Sequence, residues 1–217
     1  MTASSTRELD RERYFAALDH HFERTLGEHG PSARGVDWSS AEAQERRFRE
    51  LLRVCEDSGE RGGTLLDYGC GYGGLLGYMR AREYGLDYTG FDVSERMLAH
   101  ARELWADAAD ARFIGSEQEL EAADYVVASG LFGLKLDSAD EAWLDYALDT
   151  LGALDRLARR GFAFNMLTSY SDPERTRADL YYADPGSIFD FCKRRFSRNV
   201  ALLHDYDLYE FTVIVRK

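Results

Sequence analysis

Two short stretches of this chain carry residues that can do chemistry together. The first runs Thr64-Leu-Leu-Asp67-Tyr-Gly69-Cys70-Gly71-Tyr-Gly73-Gly74, an apolar segment that breaks into glycines. The second, Tyr88-Thr-Gly-Phe-Asp92, ends in a carboxylate twenty-five residues after Asp67. Glycines let a backbone approach a ligand closely and let a helix start hard against a strand. If both stretches are parallel strands joined by a helix, Asp92 lies beside the glycine turn, where it can accept both hydroxyls of a ribose. The pattern points to an adenosine-containing cofactor. Asp92 can also cap the helix opening at Val93-Ser94.

Gly69, Gly71 and Gly74 alone satisfy G-x-G-x-x-G, the fingerprint of nicotinamide and flavin enzymes. Three features disfavour a dinucleotide. Asp67 stands at the strand end, where such fingerprints carry an apolar residue. A carboxylate there repels a pyrophosphate but suits a cationic ammonium group. No second glycine-rich half follows.

Leu-Leu-Asp67-x-Gly69-Cys70-Gly71-x-Gly73 with Gly90-Phe-Asp92-Val-Ser-x-x-Met97 resembles class I S-adenosylmethionine-dependent methyltransferases, from about Gly62 to the C-terminus. The resemblance implies S-adenosyl-L-methionine as cofactor. Asp67, Gly69, Gly71 and Gly73 would wrap its methionine end, with Cys70 a small filler of the same turn. Asp92 would take the ribose, with Val93 beside it and Met97 near the adenine. The family's adenine-binding position after the third strand falls on Ser116, with Glu117 and Gln118 next, and the choice among them stays open. Ser129, Gly130 and Phe132, ending the fourth strand, would face the sulfonium or the acceptor.

Other candidates come from residue type and place. Arg47, in a helix, could pair with the cofactor carboxylate or belong to a charged helix face. Tyr14 and Trp38 could cover the cleft. His204 and His21 are possible proton acceptors. Asn165, an amide among apolar neighbours in Phe164-Asn165-Met166, needs partners, whether sheet end or ligand. Tyr170, Tyr181 and Tyr182 form the richest aromatic cluster and read as an acceptor wall, near Asp172, Asp179 and Asp184. The five histidines lack metal-ligand spacing, so no metal is expected.

The elements that must position these residues alternate. Residues 7–30 and a stretch from Ser39 or Ser40 to Cys55 read as helices, and Ser58 to Gly63 as a linker. Strand 64–68, helix 72–83, strand 87–91, helix 94–105, strands 111–114 and 123–128, helix 138–158 and strand 161–167 follow. Asp172-Pro173 and Asp184-Pro185 open short helices. A hairpin, Val200–His204 and Tyr209–Val215, ends the chain. The expected fold is α/β: a Rossmann-like class I methyltransferase sheet, mostly parallel, with an antiparallel C-terminal hairpin strand and an N-terminal helical cap. Residues 1–60 are expected as the cap and 61–217 as the cofactor-binding α/β domain.

The 217 residues are 45% hydrophobic and 13% aromatic, which suits one folded domain. A formal charge of −12 disfavours nucleic acid as partner. Three scattered cysteines imply no disulfide framework, and the expected setting is a reducing cytoplasm without membrane attachment. The expected activity is methyl transfer to an O, N or C nucleophile of a small-molecule acceptor, by a monomer or homodimer. The alternatives are another transfer or cyclisation of the same cofactor, or a non-catalytic binding module.

Overall fold

A computed structural model describes residues 3–56 and 62–217, with side chains from residue 11 onward. Most of the expected linker, at 57–61, lies outside the described residues. The chain opens with helix α1 (Ala3–His29), a 3-10 turn at Arg34–Val36, and helix α2 (Ala41–Leu52). Then come β1 (Thr64–Tyr68), α3 (Gly74–Ala81), β2 (Asp87–Phe91), α4 (Glu95–Leu104), β3 (Ala111–Ile114) and β4 (Ala123–Ala128). The rest is α5 (Asp140–Leu157), β5 (Ala158–Thr168), β6 (Tyr182–Ala183), α6 (Pro185–Arg195), β7 (Asn199–Leu203) and β8 (Glu210–Arg216).

The strands form one sheet in the order β3-β2-β1-β4-β5-β8-β7, with β6 added on β5. β1 pairs in parallel with β2 on one side and β4 on the other. Strand order therefore reverses at β1, and the crevice at the carboxyl ends of β1 and β4 is the place where such sheets bind ligands. β8 runs antiparallel to both β5 and β7.

Alternate side chains feed two cores, as the two-residue period of a strand requires. Leu65, Val127 and Ala163 face Phe48, Leu51 and Leu52 of α2 and Leu75, Leu76 and Met79 of α3. Leu66, Val126, Phe162 and Phe164 face Leu151 and Leu154 of α5 and Ile188 of α6. The expected cap thus divides. α2 belongs to the helix layer under the sheet, while α1 alone lies over the carboxyl ends of the strands.

Several boundaries differ from the sequence expectation for local reasons. Ser40, not Ser39, caps α2, accepting from Ala43 N–H at 3.1 Å. α3 begins at Gly74 because Gly73 is left-handed at φ 79°. Asp184 caps α6 through Ser187 N–H at 2.6 Å. Asp172 caps nothing, since it accepts from Tyr209 Oη instead, and only a 3-10 turn at Pro173–Arg175 follows it. Strand β6 has only two residues and gives no periodic signal. Between β3 and β4 the crossover carries only a 3-10 turn, Glu117–Glu119.

Candidate active site

The glycine turn leaves β1 and folds back against β2. Gly69 and Cys70 N–H both donate to Phe91 C=O, at 2.8 and 2.9 Å. Gly73 admits no side chain: a Cβ there would lie 2.7 Å from Trp105 Nε1. Asp92, ending β2, accepts from Gly71 N–H (2.8 Å) through one oxygen and from Ser94 N–H (2.9 Å) through the other. It is at once the carboxylate beside the turn and a clasp on it. Burial raises the Asp92 pKa, and the backbone N–H groups oppose that shift.

Asp67 is buried, and its Oδ2 accepts from Tyr88 Oη at 2.7 Å. Its Oδ1 has no hydrogen-bond partner among the described residues, and neither has the buried Oγ of Ser129. Burial pushes the Asp67 carboxyl up to about 7, the Tyr88 hydroxyl pulls it down, and the Asp92 charge adds to the rise. A buried polar atom without a partner is costly. Both residues line the same cleft, so they fit a ligand that brings donors, and an ammonium group fits Asp67 in particular.

That cleft is lined from below by residues 67–72, Asp92, Val93, Met97, Ser129 and Gly130. From above it is closed by α1 through Tyr14, Phe15, Leu18, Asp19 and Phe22, and by Val36 and Trp38 of the following turn. Tyr14 Oη donates to Leu134 C=O at 2.8 Å, and its ring packs 4.9 Å from that of Trp143. Asp19 accepts from Ser94 Oγ at 2.6 Å. Trp38 lies across Gly130, where a Cβ would meet its Cζ2 at 2.3 Å. Gly130 is also left-handed, at φ 72°. Among the described residues, four carboxylates (Asp19, Asp67, Asp92, Glu117) and one guanidinium (Arg11) line the cleft.

The structure brings together Asp67, Gly69, Cys70, Gly71, Asp92, Val93, Met97, Glu117, Ser129, Gly130, Tyr14 and Trp38. Val93 stands 44% exposed at the rim, while Met97 is buried. Burial, with Asp92 and Asp67 nearby, raises the Cys70 thiol well above its usual range, so it stays protonated filler. Gly73 sits just behind, at the start of α3. Of the adenine candidates, Glu117 faces the cleft, and Ser116 spends its hydroxyl on Gln118 N–H at 3.2 Å.

Other expected residues fall elsewhere. Phe132 is fully buried, ring to edge against Phe164, so it is core and not acceptor wall. Arg47 gives its Nε to both oxygens of Glu210, at 2.9 and 2.8 Å, and is not open to a cofactor carboxylate. Asn165 is fully engaged: Oδ1 accepts from Gly130 N–H at 2.8 Å, and Nδ2 donates to Glu210. It ties the sheet end together and does not itself line the cleft. His204 lies outside the cleft, its ring 6.0 Å from that of Tyr170, which is itself 72% exposed. Tyr181 packs on the α5–α6 core, and Tyr182 Oη accepts from Arg177 N–H at 3.0 Å. The tyrosine cluster after β5 is thus not the wall of this cleft. His21 pairs with Asp37 and does not line it. Phe15, Leu18 and Phe22 of α1 line the cleft where the tyrosine cluster does not.

A methyltransferase-domain family profile matches residues 40–182. A protein of Mycobacterium tuberculosis, provisionally named as a methyltransferase, is 54% identical over 154 residues, covering 71% of this chain and 93% of that protein. The malonyl-[acyl-carrier protein] O-methyltransferase of Enterobacter lignolyticus is 35% identical over 141 residues. That match covers 61% of this chain and 53% of the enzyme, so the chain spans about half its length. In fold, the chain is similar to the S-adenosylmethionine-bound magnesium protoporphyrin IX methyltransferase of Synechocystis PCC 6803. The TM-score is 0.55 over 80% of each chain, at 16% identity. With the glycine turn, the two carboxylates and the antiparallel final hairpin already in place, the chain belongs to the class I S-adenosylmethionine-dependent methyltransferases.

Proposed function

We propose that this enzyme methylates a small organic acceptor, neutral or cationic, inside the cleft beneath α1. The observation that carries the reading is the lining itself: apolar and aromatic residues of α1 roof a site where, among the described residues, four carboxylates stand against one guanidinium. Bound there, the cofactor supplies a methyl group made electrophilic by its sulfonium. Asp67 accepts hydrogen bonds from its ammonium group and Asp92 from its ribose, while Ser129 Oγ offers a further polar contact. Tyr14, Phe15 and Trp38 orient the acceptor and keep water from it; alignment of nucleophile and methyl is the main contribution such a site makes. No histidine lines the cleft, so the acceptor's proton goes to water or to a carboxylate left over once Asp67 and Asp92 are engaged, namely Asp19 or Glu117. The same acidic lining and the net charge of −12 disfavour a polyanion as acceptor.

Incubation with methyl-labelled cofactor and either a metabolite extract or total RNA separates the possibilities. Label should appear in low-mass, amine- or hydroxyl-bearing products and not in RNA. Labelled RNA would defeat the small-molecule reading, and cofactor binding without any labelled product would favour a non-catalytic binding module.

A further inference from the structure

Trp38 walls the cleft, but what holds it lies behind the wall. Its indole rests on the Arg47 guanidinium, 4.0 Å from ring centre to carbon. Arg47 Nη1 donates to Ala43 C=O at 2.8 Å, and its Nε grips Glu210, the first residue of β8. Glu210 also accepts from Asn165 Nδ2, and Asn165 Oδ1 accepts from Gly130 N–H at 2.8 Å. Gly130 in turn lies against the indole of Trp38. Five residues from five segments thus close a ring: Trp38, Arg47, Glu210, Asn165, Gly130 and back to Trp38. Only the first and last line the cleft, while Arg47, Glu210 and Asn165 are 7%, 2% and 2% exposed.

A buried ion pair is a poor device for stability alone, because apolar residues of similar volume often do as well or better. What this pair does provide is direction. The planar guanidinium is a fixed plate for the indole, and the carboxylate aligns the amide that holds the left-handed Gly130 peptide. We propose that Arg47 and Glu210 are positioning residues that act on ligand binding through Trp38 and Gly130, with Trp38 setting the shape of the cleft beside Ser129. The proposal rests on the reading of this cleft as the cofactor and acceptor site.

The test is a double-mutant cycle read by calorimetric binding of S-adenosylhomocysteine, with melting temperature followed in parallel. Trp38→Ala and Glu210→Gln, at residues joined through Arg47, should each weaken binding by about tenfold. The double variant should still lose about tenfold and not the hundredfold of independent sites. Arg47→Lys, which keeps the charge but not the plate, should behave like Glu210→Gln and serves in its place if that variant fails to fold. Additive losses would overturn the proposal, as would unaltered binding in Glu210→Gln or Arg47→Lys. Failure of both to fold would overturn it too, since the ring would then be a structural staple. Absence of binding by the wild-type chain would instead count against the reading of the cleft.

Discussion

Asp67 sits where burial and a neighbouring carboxylate both oppose its ionisation, and its pKa rises to about 7. Below about pH 4 the group is neutral in folded and unfolded chains alike. Between there and 7 the unfolded chain gives up this proton while the folded chain keeps it, so stability of the ligand-free protein falls as pH rises. With the folded value at about 7, the loss amounts to about 4 kcal/mol at most above neutrality. Asp67→Asn, which can still accept from Tyr88 Oη, should therefore melt at a higher temperature than the wild type at pH 8. It should also bind S-adenosylmethionine weakly and with little pH dependence, whereas wild-type affinity climbs as pH passes through 7 and the carboxylate forms. A variant less stable than wild type at pH 8 would mean that the carboxylate acts as a structural anion. The place of Asp67 and Asp92 is legible from spacing alone, because β1, the glycine turn and β2 are local in sequence. The tasks of Arg47 and Asn165 are not. Each is defined by Glu210, 163 residues from one and 45 from the other, and nothing in a linear pattern announces a contact of that range.

At the scale of elements, we propose α1 as the part that moves. Polar ties hold it at Tyr14 Oη to Leu134 C=O, Asp19 to Ser94, and Glu23 to Arg96 at 3.1 Å, beside the packing of Tyr14 and Phe15 on Trp143 and Tyr146. With α1 in this position the cleft holds about 170 Å³, below the roughly 300–1,000 Å³ usual for small-molecule sites. An outward shift of the helix on ligand entry is the expected outcome. α2 cannot follow it, because Leu51 and Leu52 are fully buried in the sheet core. Amide hydrogen exchange should slow across residues 11–38 when S-adenosylhomocysteine binds and change little in 41–52. Equal protection of 11–38 with and without ligand would make α1 a fixed roof. The strand and helix order of the α/β sheet follows from hydrophobic periodicity, down to the ends of β1, β2, β3 and β4. The roof of the cleft does not. Tyr170, Tyr181 and Tyr182 cluster in sequence, yet β6 pairs with β5 beyond the cleft and carries Tyr182 away, with Tyr181 just before it. Phe15, Leu18 and Phe22 look like any apolar helix stripe until the surface they cover is known.

For the whole molecule, charge and topology act together on what may enter. The short β3–β4 crossover leaves a groove of about 500 Å³ beside α5, lined by Tyr68, Leu120, Tyr146 and Leu157. The groove adjoins the cleft at Arg11, Tyr14, Tyr68, Glu117 and Tyr146, and its far side includes Asp145 and Asp149. A chain of net charge −12 with an acidic cleft produces a field that draws cations in and slows anions. S-adenosylmethionine and its demethylated product differ chiefly by the sulfonium charge, which makes them a matched pair for reading that field. At low ionic strength S-adenosylmethionine should associate faster than S-adenosylhomocysteine. Raising salt past about 0.1 M, where the screening length falls to about 10 Å, should narrow the difference by slowing only the charged ligand. Stopped-flow binding of both ligands across a salt series measures this directly. Parallel salt curves for the two would show that the cleft discriminates by contact alone and that the molecule's overall charge plays no part in selecting what it methylates.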